Sequence, residues 1–288
     1  MAIRFDDKVV IVTGAGGGLG RAHALGFAAR GAIVVVNDLA GADKVVADIE
    51  AAGGRALADA TDVTDRAGMA ALVARLVASH GGVDVLVANA GILRDRTFAK
   101  MTEAEWDAIV AVHLGGAEAC ARAVWPVMRA RGGRIVFTSS GSGLYGNFGQ
   151  ANYAAAKMAL VGLTKTLAAE GAKAGIHVNA LVPVAWTRMT EGLFPPGGET
   201  LFAPEKVTPA ALFLASAGAP NGMVLAAGGG VFAEVRVIEA EGLALSGADL
   251  TPENVAAGLA TIADMTGAVT PRDSIAQTVK LAARAARD

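Results

Sequence analysis

Cysteine is nearly absent, with Cys120 alone among 288 residues. A single thiol excludes an internal disulfide and a thiolate metal cluster. The four histidines, His23, His80, His113 and His177, lack ligand spacing, so no metal site is expected. Charge of one sign is also missing. The 25 basic and 27 acidic residues nearly cancel, and no basic block points to nucleic acid. The longest apolar runs, such as 223–233, are too short to span a bilayer. No cleavable leader is recognisable before the first apolar run, and the final Arg-Ala-Ala-Arg-Asp carries no peroxisomal address. These absences predict a cytoplasmic protein that binds neither membrane nor nucleic acid.

Hydrophobic residues make up 53% of the chain, enough for one large core. Short Val- and Ile-rich runs at 8–12, 33–37, 55–59, 83–88, 134–139 and 177–181 read as buried parallel strands. Helical patterns lie between them, near 19–30, 42–52, 65–79, 103–130 and 151–174. This alternation predicts an α/β fold, a doubly wound parallel sheet with helices on both faces. Met223–Glu239 reads as a last strand and an extension. Helix starts follow at Thr208-Pro209 and Thr251-Pro252. One catalytic domain is expected, with a core of about 6–235 and a C-terminal extension of about 236–288. Residues 183–206 are rich in Pro and Gly and read as a substrate lid or a plain surface connection.

The first strand runs into Thr13-Gly14-Ala15-Gly16-Gly17-Gly18-Leu19-Gly20. A glycine-rich turn opening a helix turns backbone N–H groups and the helix dipole toward a phosphate. Gly14, Gly18, Leu19 and Gly20 are therefore candidate nucleotide contacts. Asp38 ends the second strand, where a carboxylate accepts from ribose hydroxyls and repels a 2′-phosphate, which favours NAD over NADP. Its alternative is a turn residue or helix cap. Asp62, with Val63, is a candidate at the adenine, though Asp62 could equally cap a helix. In Asn89-Ala90-Gly91 the asparagine can tie neighbouring strands, and the glycine permits close approach of a cofactor.

Tyr153 and Lys157 lie four apart on one predicted helix and so share a face. A free phenol titrates near about 10, and a fixed cation beside it lowers that value and makes it a usable acid or base. Ser140 precedes Tyr153 by thirteen residues, with Ser139 and Ser142 as structural neighbours.

The Thr-Gly-x-x-x-Gly-x-Gly turn, Asn-Ala-Gly, the serine and Tyr-x-x-x-Lys, in this order over roughly 6–235, resemble the short-chain dehydrogenase/reductase family. The resemblance implies a Rossmann-type fold and hydride transfer with a nicotinamide. It makes Tyr153 the general acid/base, Lys157 the ligand of the nicotinamide ribose, Ser140 the partner of the substrate oxygen and Thr187 a nicotinamide contact. His113 stands where many members carry a relay asparagine, and is read as either a relay or a buried structural histidine. Val184 departs from a frequent Pro-Gly pair.

Stretches such as Arg4-Phe5-Asp6, Gly91-Ile92-Leu93-Arg94-Asp95-Arg96 and Tyr145–Tyr153 resemble a narrower branch, the (3R)-hydroxyacyl-CoA dehydrogenases of type 2 multifunctional enzymes. This implies oxidation of a (3R)-3-hydroxyacyl-CoA with NAD. Arg94, Arg96, Lys100 and Arg188 become candidate CoA phosphate contacts, and Phe194, Leu201 and Phe202 candidate acyl-pocket residues. A homo-oligomer is implied, dimer or tetramer, with Ala154, Ala155, Ala156 and Ala159 allowing close helix approach. The alternatives are a 3-oxoacyl-thioester reductase, another secondary-alcohol or steroid dehydrogenase, and a non-catalytic dinucleotide sensor.

Overall fold

Runs of Val, Ile and Leu bounded by turn residues become the strands of one sheet, because apolar side chains on both faces can be buried only between two layers of helix. The computed structural model describes residues 2–286. Its eight strands are β1 (Val9–Thr13), β2 (Ile33–Asn37), β3 (Arg55–Asp59), β4 (Val85–Ala88), β5 (Gly133–Thr138), β6 (Ile176–Val184), β7 (Val224–Gly228) and β8 (Val231–Val235). The spatial order is β3-β2-β1-β4-β5-β6-β7-β8, and β1 to β7 pair in parallel. Val10 lies opposite Val34 on one side and Val85 on the other. The order reverses between β1 and β4, so a crevice opens at the carboxyl ends of these strands.

The helices of the first unit are α1 (Gly18–Ala28), α2 (Ala42–Ala51), α3 (Arg66–His80), α4 (Glu103–Val110), α5 (Ala117–Arg131), α6 (Gly141–Tyr145), α7 (Ala151–Gly171), α8 (Gly198–Leu201) and α9 (Thr208–Leu214). Alternation along β1 feeds two cores. Val10 and Val12 pack with Phe27, Ile49 and Leu212 on one face, and Val9 and Ile11 pack with Met69, Met128 and Leu160 on the other. Each such large side chain, fully buried, contributes roughly 1.5–3 kcal/mol.

Four expectations change. The helix predicted over 103–130 is interrupted: α4 and α5 are separated by a π-helical stretch, Ala111–Gly116. The last strand is two, β7 and β8, joined by Gly229-Gly230, both at positive φ, a turn that reverses the chain. Thr208 does not cap its helix. It is the first helical residue, with Val207 at the cap, and its hydroxyl meets His23 Nδ1 at 3.0 Å. Ala156 is buried, one turn beyond buried Asn152, so it cannot belong to an exposed alanine face.

Residues up to Glu234 and residues from Val235 onward form two compact units. The second holds α10 (Pro252–Ala257), α11 (Leu259–Ile262) and α12 (Ser274–Ala285), with Thr251 capping α10 and Asp273 capping α12. Glu239 is its hub: it bridges to Val269 through the backbone and pairs with Lys280 at 2.8 Å.

Candidate active site

The carboxyl ends of β1 and β4 are locked together by short polar side chains. Thr13 Oγ1 accepts the N–H groups of Asn89 and Ala90, each at 3.0 Å. Asn89 Nδ2 donates to the carbonyls of Thr13 (3.1 Å) and Gly14 (3.3 Å). This is the strand tie expected of Asn89. Beyond it the loop folds back on itself so tightly that a Cβ at Gly20 would lie 2.1 Å from the Gly14 carbonyl. Only glycine lets α1 begin there. The N-cap of α1 is Gly17, which offers no side chain to the first N–H groups of the helix. A helix start left uncapped in this way suits a phosphate.

Asp38 closes the far side of the loop. Its Oδ2 accepts from Gly16 N at 2.8 Å and its Oδ1 from Ala40 N at 3.1 Å. A carboxylate has about four lone-pair sites, so it keeps acceptor capacity for ribose hydroxyls. Thr187 reaches the loop as well: its Cγ2 would be 3.2 Å from a Cβ at Gly18. Leu19 packs against the core below. Asp62 Oδ1 accepts from the N–H and hydroxyl of Thr64, both at 2.8 Å, while Asp65 caps α3 by accepting from Gly68 N. Asp62 is therefore not the helix cap, and Val63 beside it is buried, facing Gly116 of the π-helical stretch. The uncapped helix start, the glycine cradle and the two-point hold on Asp38 fit a nicotinamide dinucleotide.

The second half of the site is built from the end of β5 and the start of α7. Ser139 is structural: its hydroxyl donates to the Lys157 carbonyl at 2.7 Å. Ser140 starts α6 and accepts from Ser142 N at 3.2 Å. Lys157 is only 3% exposed, and its Nζ donates to the Thr138 carbonyl at 2.6 Å. Burial pulls its ammonium down to about 7. Lys157 Nζ stands 5.6 Å from the centre of the Tyr153 ring. Burial pushes the Tyr153 phenol above its ordinary value, a hydrogen bond with Ser140 pulls it back, and the charge of Asp95 pushes it up again. The expected depression of the phenol by Lys157 is not what governs it in this state. Desolvation of both groups outweighs their mutual attraction.

His113 lies in the π-helical stretch, a geometry that recurs at functional sites. Its Nε2 is 2.8 Å from the Ile92 carbonyl and 3.1 Å from the Ile92 N–H, accepting or donating according to tautomer. Its Nδ1 is buried without a hydrogen-bond partner. The ring meets Tyr153 edge to face, centroids 5.0 Å apart. Burial, and then the charge of Lys157, hold the imidazole down to about 3, so it is neutral near pH 7. The absence of a side chain at Gly91 serves this ring, since a Cβ there would lie 2.4 Å from His113 Cε1.

The remaining candidates divide. Arg96 pairs with Glu105 at 2.8 Å, and Arg94 donates to the neighbouring Leu93 carbonyl; Lys100 is exposed. Phe194 stacks on Phe202 at 4.8 Å and meets Trp186 at 6.0 Å, forming an aromatic cluster in the 183–206 segment, whereas Leu201 is exposed. Trp186 was not among the sequence candidates, and neither was the pair Asp95–Gln150, joined at 2.7 Å. The Trp186 and Phe194 spacing could have flagged the first. The second bridges 55 positions and left no local signal.

A family profile described as "short chain dehydrogenase" matches residues 8–195. The chain is 48% identical over 268 residues to peroxisomal multifunctional enzyme A of Dictyostelium discoideum, covering 88% of this chain and 60% of that protein. It is 45% identical over 203 residues to a hydroxyacyl-CoA dehydrogenase of Mycobacterium tuberculosis, covering 65% of this chain and 64% of that one. The solved full-length peroxisomal multifunctional enzyme type 2 of Drosophila melanogaster superposes with a TM-score of 0.87 at 37% identity, covering 99% of this chain and 50% of that structure. The chain thus spans between half and two thirds of the length of these relatives.

Proposed function

Because the chain belongs to the short-chain dehydrogenase/reductase family, enzymes that act on hydroxyl groups, we propose that it oxidises (3R)-3-hydroxyacyl-CoA to 3-oxoacyl-CoA with NAD. The observation that carries this reading is the convergence of Ser140, Tyr153 and Lys157 at the mouth of a nucleotide-binding crevice, in a chain whose relatives include a named hydroxyacyl-CoA dehydrogenase.

When bound, the dinucleotide supplies the two-electron acceptor for the hydrogen on C3. The protein supplies the rest. The Tyr153 oxygen, as phenolate, takes the proton of the 3-hydroxyl. Ser140 donates to the same substrate oxygen and steadies charge that develops there. Lys157, anchored on the Thr138 carbonyl, would hold the nicotinamide ribose and, once charged, favour the phenolate. His113, neutral and packed on the Tyr153 ring, would position it and offer Nδ1 to a proton relay. Gly14, Gly18, Leu19 and Gly20 would take the pyrophosphate, Asp38 the adenosine ribose, Asp62 and Val63 the adenine, and Asn89, Gly91 and Thr187 the nicotinamide half. NAD is preferred over NADP because a 2′-phosphate would meet the Asp38 charge.

Arg94, Lys100 and Arg188 remain candidate contacts to CoA phosphates, and the cluster of Trp186, Phe194 and Phe202 is a candidate acyl wall. A homo-oligomer and a cytoplasmic location belong to the same proposal. Light scattering and cell fractionation test them, the latter against the peroxisomal location in the relatives' names.

A second reading is a 3-oxoacyl-thioester reductase. It is favoured by the raised affinity of Tyr153 for its proton, the form that protonates a carbonyl oxygen. Initial rates of NADH formation with (3R)- and (3S)-3-hydroxybutyryl-CoA and a longer (3R) homologue decide. Rapid NAD reduction with the (3R) substrates alone is the expected result. No reaction with any of them, while NADH still binds, sinks the acyl-CoA assignment.

A further inference from the structure

The segment after β6 opens with a turn that one hydroxyl holds together. Thr190 Oγ1 donates to the Ala185 carbonyl at 2.7 Å. A hydroxyl has one proton and two lone pairs, and the proton goes to this short bond; the Thr187 carbonyl lies farther off, at 3.3 Å. Toward Thr187 the oxygen is therefore an acceptor. It takes the Thr187 N–H at 2.9 Å and stands 3.3 Å from Thr187 Oγ1. The backbone closes the same turn, with Thr190 N donating to the Thr187 carbonyl at 2.9 Å. Ala185 is buried and directly follows β6, so the turn is anchored to the sheet.

Thr187 is the residue that this turn presents to the crevice. Its methyl group faces the start of α1, where a Cβ at Gly18 would lie 3.2 Å from it. Its Oγ1 accepts from Met189 N at 3.2 Å. Among the described residues its proton meets only the Thr190 oxygen, and 3.3 Å is long for an O–H···O bond. The least satisfied group on Thr187 is thus its donor.

We propose that Thr190 is a positioning residue for the nicotinamide: its hydroxyl holds Thr187 as a hydrogen-bond donor to the carboxamide oxygen. The inference rests on the reading of Thr187 as a nicotinamide contact. A carbonyl oxygen only accepts, so it matches a hydroxyl whose proton is poorly used. Without the Thr190 hydroxyl, the N–H and the hydroxyl of Thr187 lose their common partner, and the side chain is no longer fixed over Gly18.

The test compares two ligands, NADH by fluorescence titration and ADP-ribose by calorimetry. ADP-ribose has the adenosine, both phosphates and the second ribose but no nicotinamide. Thr190→Val keeps the shape and removes the hydroxyl. It binds NADH about tenfold more weakly, while its ADP-ribose affinity stays within about twofold of wild type. Thr190→Ser restores the hydroxyl and with it the NADH affinity. In a Thr187→Val background, Thr190→Val costs no further NADH affinity, because it acts through Thr187. Thr190→Ala replaces the valine variant if that one folds poorly. Equal weakening of NADH and ADP-ribose, or an unchanged NADH affinity, overturns the inference. Unchanged NADH affinity in Thr187→Val overturns the underlying placement of Thr187 instead, so the two failures are distinct.

Discussion

The two halves of the crevice are built by opposite means. The nucleotide half is largely a backbone device: glycines bring chain against chain, N–H groups are left open, and the Asp38 carboxylate is held by two backbone donors. The proton-transfer half is a side-chain device, buried deeply enough that Tyr153 is pushed up, Lys157 down to about 7 and His113 down to about 3. It also contains polar atoms without partners, His113 Nδ1 and Thr138 Oγ1. Unmet hydrogen-bonding capacity in a buried site costs stability and is kept where a ligand or substrate supplies the missing partner. One half offers open backbone donors suited to a phosphate; the other holds buried titratable groups away from their ordinary proton affinities.

Tyr153→Phe separates the halves most sharply. It removes the proton-carrying atom alone, so turnover falls about 10³-fold while NADH affinity, read by fluorescence titration, stays within error. Next in size is the acid response of the buried histidine on α1. Burial holds His23 down to about 4, below the ordinary 6.5, so the unfolded chain binds a proton that the folded one refuses. The share of stability that depends on a neutral His23 is full above pH 6.5 and falls by about 3 kcal/mol as pH drops toward 4. Denaturant melts of wild type and His23→Phe across that window check it, the variant giving the flatter dependence. Gly20→Val strikes the nucleotide half: the Cβ collides with the Gly14 carbonyl, and NADH binding weakens about thirtyfold, with kcat at saturation changed far less. Smallest is Asp38→Ser. Removing the charge that faces a 2′-phosphate lowers the preference for NAD over NADP about tenfold, read as a ratio of kcat/KM values.

The same contrast explains what could be read from the chain alone. The glycine turn, Asp38, Asn89 and the Tyr153–Lys157 pair depend on spacing within a few residues, and the structure has them where spacing predicts. The strands were legible for the same reason. What escaped depends on contacts far apart in sequence. Asp95 gains meaning only when Gln150 folds against it. Thr208 looks like a helix cap until His23, 185 positions earlier, arrives at its hydroxyl. The direction of the Tyr153 shift could not be read either, because it is set by burial, which periodicity describes only coarsely. A local hint was present for the broken helix: Gly115-Gly116 are poor helix formers, in the middle of a stretch otherwise read as continuous.

That break has a mechanical meaning. In a straight α-helix each residue turns by about 100°, so the faces of α4 and α5 would keep a fixed rotation to each other. The wide turn at Ala111–Gly116 acts as a phase coupling. It lets Thr102 and Glu105 anchor one end and Cys120, Val124 and Met128 fill the core at the other, without either deciding where His113 points. A one-residue deletion there would restore a regular helix and rotate the imidazole away from Ile92 and Tyr153. Length at this position matters to the site alongside the identity of His113 and Gly116.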